Sequence, residues 1–366
     1  MLPRPGWIGL VALGVATIVA ACSAHSTPSV VAVPQPADQT LAQRQVRTSI
    51  PTVPPGSVVE YPIPTASSFP AYITYSSVDG DLWFTEATAS KIGRVDPGTG
   101  TITETPLAAG AQPYDITIGP DGAPWFGAQG LASLGRLNRN VVPSYFAIPG
   151  ARPHVEELAT DLPQHAIWFA DSVDGSVDRF DVSGHTFSEY SVPMPAGGLS
   201  PHPVGVAIDT AGHIWYSDYF NDQVGEFSSD GTFMRQITLP GSAGVGTASL
   251  QVWYMTLGPD NDIWVIEISG GSNFKGAVAR IDPFTLDIKT FPAIGPGHGA
   301  VGLASGPNGL WTPLGGGELA LTNYTGTTEW EIPNMGGYGI TEGPDGTMWF
   351  IDWNKGNVDK AIVSDL

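Results

Sequence analysis

The chain has 366 residues, with 35 acids against 15 lysines and arginines and a formal net charge of −20. No cluster of Lys and Arg is present, so this balance excludes a nucleic-acid backbone as the natural partner and favours cations or neutral ligands. The 46 glycines and 33 prolines, with 14% charged residues, suit many short strands and tight turns rather than long helices.

Residues 1–21 read as an export signal, in which Arg4 precedes an apolar run of signal-peptide length. The run ends in Val19-Ala20-Ala21-Cys22, the form of a bacterial lipobox, where cleavage leaves the cysteine to carry diacylglycerol. Cys22 is the single cysteine, so lipidation explains it better than a disulfide. A plain signal peptide or an uncleaved anchor is the alternative. Residues 22–56 are rich in Ser, Thr, Pro, Gln and Ala and have no period. They read as a flexible tether, with His25 a solvated residue within it. An exported protein is expected, lipid-anchored to the cell membrane and facing outside the cytoplasm.

From residue 57 onward one pattern recurs. A tryptophan stands at 83, 125, 168, 215, 264, 311 and 349, at intervals of 38 to 49 residues. A Gly/Asp/Asn/Pro turn precedes most copies, as in "VDGDLW", "GPDGAPW", "GPDNDIW" and "GPDGTMW". A short apolar strand lies upstream ("YDITIG", "VGVAID", "YGITEG"). A third strand ("KIGRVD", "SLGRLN", "AVARID") and an outer one ("TITETPL", "TTEWEIP") follow. Four short strands with tight turns account for this period, and such meanders stack radially. The reading is all-β: a seven-bladed β-propeller of four-stranded blades over residues 57–366. The repeated tryptophan is expected to pack between blades. The last blade has no outer strand of its own, and "VVEYPIP" at 58–64 looks like that missing strand. An N-terminal outer strand on the last blade would close the ring and remove its free edges.

Two rings follow from the repeat. The residue before the Gly-Ile position of each inner strand gives Ala71, Tyr114, His154, Val204, Trp253, Val301 and Tyr338. The third residue after each tryptophan gives Glu86, Ala128, Asp171, Asp218, Glu267, Leu314 and Asp352. On one reading the acids surround a channel mouth and hold a cation or a hydroxylated ligand. On the other they cap turns at strand ends.

The pattern "GITEGPDGTMWF", with "LWFTEATASKIGRVDP" in the first blade, resembles the streptogramin B lyases of the virginiamycin B lyase family. The resemblance covers residues 58–366. It implies a propeller with its site at one mouth of the central channel, and opening of a cyclic depsipeptide by elimination. A histidine would be the base, and magnesium with acids would stabilise the developing charge. The family's Pro-His-Gly-Ile and Pro-His-Ala-Ile motifs on the last two blades are not retained in place. Tyr338 stands at the histidine position in Gly337-Tyr338-Gly339-Ile340, and Gly336 at a family acid. Blade six has Val301, with His298 three residues upstream.

The expected site residues are therefore His154, His202 and Tyr338 for catalysis, with Glu156 or Glu157 in support. Tyr114, Trp253 and Glu86 would bind the ligand. Asp171, Asp218, Glu267 and Asp352 would hold magnesium or calcium. The expected activity is that of a metal-assisted lyase on a cyclic or ester-containing small molecule. A non-catalytic propeller that binds a ligand or an envelope protein is the alternative, and a gluconolactonase-type metal hydrolase a more distant one. A monomer is expected.

Overall fold

A computed structural model describes residues 54, 56–150, 153–240, 250–269, 276–292, 300, 302–314, 317–323, 325–332 and 335–365. Cys22, the expected signal and most of the expected tether lie outside these residues, as do His298 and Val301. The described chain forms seven four-stranded antiparallel sheets, each a blade. Blades one to six take their strands consecutively. In blade one these are Pro70–Tyr75, Leu82–Glu86, Lys91–Val95 and Ile102–Pro106.

Blade seven is closed from the other end of the domain. Val58–Pro62 pairs antiparallel with Asn357–Ala361, from Val58 opposite Ala361 to Pro62 opposite Asn357. Tyr61 of this strand stacks on Trp349 with ring centroids 5.3 Å apart. The outer strands of other blades supply the same contact, as Phe146 does to Trp125, Tyr190 to Trp168, Phe291 to Trp264 and Trp330 to Trp311.

The seven tryptophans act between blades as the sequence suggests. Trp83 packs with Ile116 and Phe126 of blade two, and Trp125 with Ile167 and Phe169 of blade three. The series continues to Trp349, which meets Leu82 and Phe84 of blade one. In blades one to five the acid in the turn before the tryptophan has a local reason. Asp79, Asp121, Asp161, Asp209 and Asp260 accept the indole N–H at 2.9–3.3 Å. A buried indole N–H needs such an acceptor. The glycine of "KIGR" is set by space. A Cβ on Gly93 would lie 1.9 Å from the Phe84 ring. Gly135 faces Phe126 and Gly225 faces Tyr216 at comparable distances.

Candidate functional site at the channel mouth

Register fixes which residues can reach the channel. In blades one, two, three and seven the inner strand begins opposite the end of the second strand, then shifts. Pro70 pairs with Glu86, Pro113 with Ala128, Val155 with Asp171 and Gly337 with Asp352, and a bulge follows each pair. The same shift follows Pro203 opposite Asp218 in blade four and Val252 opposite Glu267 in blade five, whose inner strand starts earlier, at Leu250. The first residue of each bulge forms one ring: Ala71, Tyr114, Glu156, Val204, Trp253 and Tyr338 among the described residues. The second residue forms another: Tyr72, Asp115, Glu157, Gly205, Tyr254, Gly302 and Gly339. This corrects the sequence reading at blade three. Glu156, not His154, matches Tyr114. His154 and His202 are equivalent to each other, each one residue before the paired position. Alignment on the two Pro-His dipeptides, Pro153-His154 and Pro201-His202, would have shown this.

The second rings differ in what they face. Side chains of a second strand alternate between the two faces of the blade and so point at neighbouring blades, not along the channel axis. Glu86 shares the face of Leu82 and Phe84, which packs on blade seven, and is fully buried. Burial pushes its carboxyl up to about 7, with Ser68, Glu104 and Lys91 as the polar neighbours. Glu86 therefore lies inside its blade rather than at the channel.

The aspartates of this ring tie down loops. Asp171 Oδ1 accepts the backbone N–H groups of His154, Val173 and Asp174 at 3.1–3.2 Å. Asp218 Oδ1 accepts that of His202 at 3.0 Å, and Asp352 Oδ1 those of Gly336 and Lys355. Three blades thus fix the residue ahead of the inner strand in one way, and in two of them that residue is a histidine. Glu86 and Glu267 are one methylene longer, and neither accepts a hydrogen bond of good geometry. Glu267 is fully buried and its carboxyl also rises to about 7, chiefly through burial.

Four tyrosines close the channel. Tyr114 Oη lies 2.7 Å from Tyr338 Oη and 3.2 Å from Tyr254 Oη. Tyr72 sets its ring edge-on to Tyr114, Tyr254 and Tyr338, with centroids 5.1–5.5 Å apart. Tyr72 and Tyr254 were missed because the sequence reading followed only the first residue of each bulge, and these two are the second. Burial raises the Tyr338 hydroxyl above its ordinary range, so it stays protonated and donates or accepts as a neutral group.

On one side of this plug lies the histidine mouth. His154 Nδ1 is 3.1 Å from Glu156 Oε1, and Ser172 Oγ donates to the same oxygen at 3.0 Å. Tyr254 Oη reaches Glu156 Oε2 at 3.5 Å. Burial lowers the His154 pKa, but the hydrogen bond and charge of Glu156, with Asp171 behind, leave it raised overall. His202 stacks on Phe220 at 4.3 Å, and burial moves its pKa down. Tyr219 joins this wall to Trp253 at 5.0 Å. The structure therefore brings His154, His202, Tyr338, Tyr114 and Trp253 to one end of the channel. It leaves Asp171 and Asp218 behind the histidines as backbone anchors.

On the other side the inner strands surround a cavity of about 310 Å³, lined by Tyr72, Asp115, Glu157, Tyr254, Thr341 and Glu342 among others. Asp115 Oδ2 accepts Leu158 N–H at 2.6 Å. Glu157 Oε2 accepts those of Val206 and Met255 at 2.9 and 3.1 Å. These two acids therefore clamp one blade to the next. Burial raises Asp115 to about 7 and Glu157 well above the carboxylate range.

The fold and channel define a closed seven-bladed propeller with a tyrosine plug and a histidine-lined mouth. The sequence pattern of the virginiamycin B lyase family matches residues 43–155 and 101–365, and the chain belongs to that family. A virginiamycin B lyase of Nocardia farcinica is 33% identical over 241 residues, which is 64% of this chain and 76% of that protein. A solved streptogramin B lyase shares the fold with a TM-score of 0.71 at 22% identity, over 83% of this chain and 96% of that one. Virginiamycin B lyase from Staphylococcus aureus does so with a TM-score of 0.72 at 21% identity, over 83% and 98%. A catalytically inactive form of the S. aureus enzyme, solved with quinupristin, gives 0.71 at 21% over 83% and 98%.

Proposed function

We propose that this protein binds a cyclic or ester-containing small molecule at the histidine mouth and opens it by elimination, with His154 as the base. The observation that carries this reading is the His154–Glu156 pair, 3.1 Å apart at the rim beside an aromatic wall. Glu156 holds Nδ1 and leaves Nε2 as the nitrogen that takes a proton. That proton comes from the carbon next to the ester-bearing carbon. Its electron pair forms a C=C bond, the C–O bond breaks, and the ester oxygen leaves on a carboxylate. Family membership supports the reaction class. Tyr338, at the family's histidine position, is tied to Tyr114 as a neutral hydroxyl and orients rather than abstracts.

The family implies magnesium held by acids near the base. The one described group of three His, Asp or Glu side chains whose ligand atoms lie within 4.8 Å of one another is Asp209, His213 and Glu226, not the mouth residues. Among the described residues the four acids expected to hold magnesium form no such group: Asp171, Asp218 and Asp352 accept backbone N–H groups and Glu267 is fully buried.

Incubation with a streptogramin B and mass spectrometry tests the reading. Elimination opens the ring with no change in mass, whereas hydrolysis adds one water. His154→Ala is expected to lower the rate by at least about 100-fold. The wild-type rate is expected to fall as pH drops through the raised His154 pKa, because the base is then protonated. An unchanged rate in His154→Ala would remove His154 from the chemistry. Saturable binding without turnover would support the second reading, a non-catalytic binding propeller, which the engagement of Tyr338 in the plug favours.

The same proposal takes the protein to the outer face of a bacterial membrane through Cys22, supported by Val19-Ala20-Ala21-Cys22. Cys22→Ala is expected to move the protein from the membrane to the soluble fraction and to abolish labelling by an alkyne fatty acid. Labelling that persists in the variant would overturn the assignment.

A further inference from the structure

Each blade tryptophan has a fixed cross-strand partner on the third strand. Arg94 lies opposite Trp83, Arg136 opposite Trp125, Arg179 opposite Trp168, Arg280 opposite Trp264 and Lys360 opposite Trp349. Blade six has Leu321. Blade four has an acid, Glu226, opposite Trp215. The usual cation meets an acid of the preceding turn, as Arg136 meets Asp121 at 2.6 Å and Arg280 meets Asp260 at 2.5 Å. Blade four keeps its turn acid, Asp209, but has lost this cation. Two carboxylates are left facing each other, their side chains 2% and 1% exposed.

Two cations stand nearby. His213 Nδ1 lies 2.7 Å from Glu226 Oε1 and 3.6 Å from Asp209 Oδ2. Arg235 Nε lies 2.8 Å from Glu226 Oε2. These are ion-pair distances, yet neither buried Glu226 oxygen receives a hydrogen bond in line. Burial leaves the Glu226 pKa raised although Arg235 and His213 pull it down.

We infer that Asp209 Oδ2, His213 Nδ1 and Glu226 Oε1 form a binding site for a divalent metal ion of the zinc class. The three atoms lie within 4.8 Å of one another. Bonds of about 2.0–2.2 Å in a tetrahedral site put ligand atoms roughly 3.3–3.6 Å apart. His213 Nδ1 already stands 3.6 Å from Asp209 Oδ2, and the 2.7 Å approach to Glu226 Oε1 would widen as the ion enters. One imidazole nitrogen with two carboxylates suits zinc, cobalt or nickel, whereas magnesium and calcium prefer oxygen alone. Second contacts hold the ligands in place. Asp209 Oδ1 accepts the N–H groups of Ala211 and His213, Asp209 Oδ2 also accepts the Trp215 indole N–H, and Arg235 stays on the far oxygen of Glu226. His213, 31% exposed, leaves a side open to water as a further ligand. The site lies at the turn between the first and second strands of blade four, the opposite end from His154 and His202. It is independent of the proposed elimination.

Calorimetric titration of the EDTA-stripped full chain with zinc chloride near neutral pH tests the site, with cobalt absorption as a second readout. One saturable event is expected, with a tetrahedral cobalt spectrum and a zinc-dependent rise in melting temperature. His213→Ala and Glu226→Arg should each weaken binding at least about tenfold and abolish the thermal shift. Glu226→Arg restores the residue found in blades one, two, three and five, and circular dichroism checks that it folds. Binding that is unchanged in both variants places the ion elsewhere and overturns the inference. So does the absence of saturable binding in the wild type up to about 1 mM zinc.

Discussion

Deleting residues 57–64 is expected to lower the melting temperature of the whole propeller by about 10 °C. The strand supplies five residue pairs to blade seven and the aromatic face that covers Trp349. Ile63 is buried in the same cluster as Trp349, Leu82 and Phe84, which spans the joint between the last and first blades. Lys355 Nζ reaches Glu60 Oε1 at 2.6 Å across the strand pair. Lost apolar burial and ladder hydrogen bonds together cost on the order of 5 kcal/mol. The deletion also leaves Asn357–Ala361 as a free edge, so aggregation on heating is expected. Differential scanning calorimetry decides the matter. A shift under about 2 °C would mean that the ring holds without its clasp.

The second large effect is a loss of stability as pH rises from about 4.5 to 8. Burial raises Glu86, Asp115, Asp178 and Glu267 to about 7, and Asp359 to about 8. All five are buried in the fold. Their folded pKa values lie above the unfolded ones. In that window the native state therefore holds protons that the unfolded chain has shed, and stability falls as pH rises. Each such group contributes at most roughly 3–6 kcal/mol by this linkage, and less where neighbours relax or titrate together. Other acids act below that window. Burial opposes the lowered pKa of Glu104, Asp121 and Asp260, but hydrogen bonds and cations outweigh it, and the stability they give is lost only below about pH 4. Thermal unfolding should therefore be highest near pH 5 and about 10 °C lower at pH 8. Glu267→Gln and Asp359→Asn should each flatten the slope. A level profile between pH 5 and 8 would show that these acids are ionised in the fold.

These same acids show how far sequence carries. Gly93, Gly135 and Gly225 leave room for an aromatic ring on the second strand. In blades three and seven that position holds Asp178 opposite Phe169 and Asp359 opposite Phe350. Periodicity shows the substitution, but not that the aspartate is sealed from water.

The sequence by itself determined the seven blades, the tryptophan between each pair, the turn acids and the clasp at residues 58–64. It could do so because each blade repeats the same local problem: a pleated strand set, a tight turn and one large ring to bury. It also led to Tyr114, Trp253 and Tyr338, since equivalent positions share a height in the channel, and to His154 and His202 through their Pro-His dipeptides. Only the tertiary structure decided the rest. The paired position before each described bulge fixes the alignment of the inner strands, which makes Glu156 rather than His154 the equivalent of Tyr114. The bulge also brought Tyr72 and Tyr254 into the plug. Glu86 and the ring aspartates lie one strand away from the axis, so their carboxylates meet neighbouring blades and loop amides. The meeting of Asp209, His213 and Glu226 depends on three strands closing at one turn, a distance that no spacing along the chain expresses.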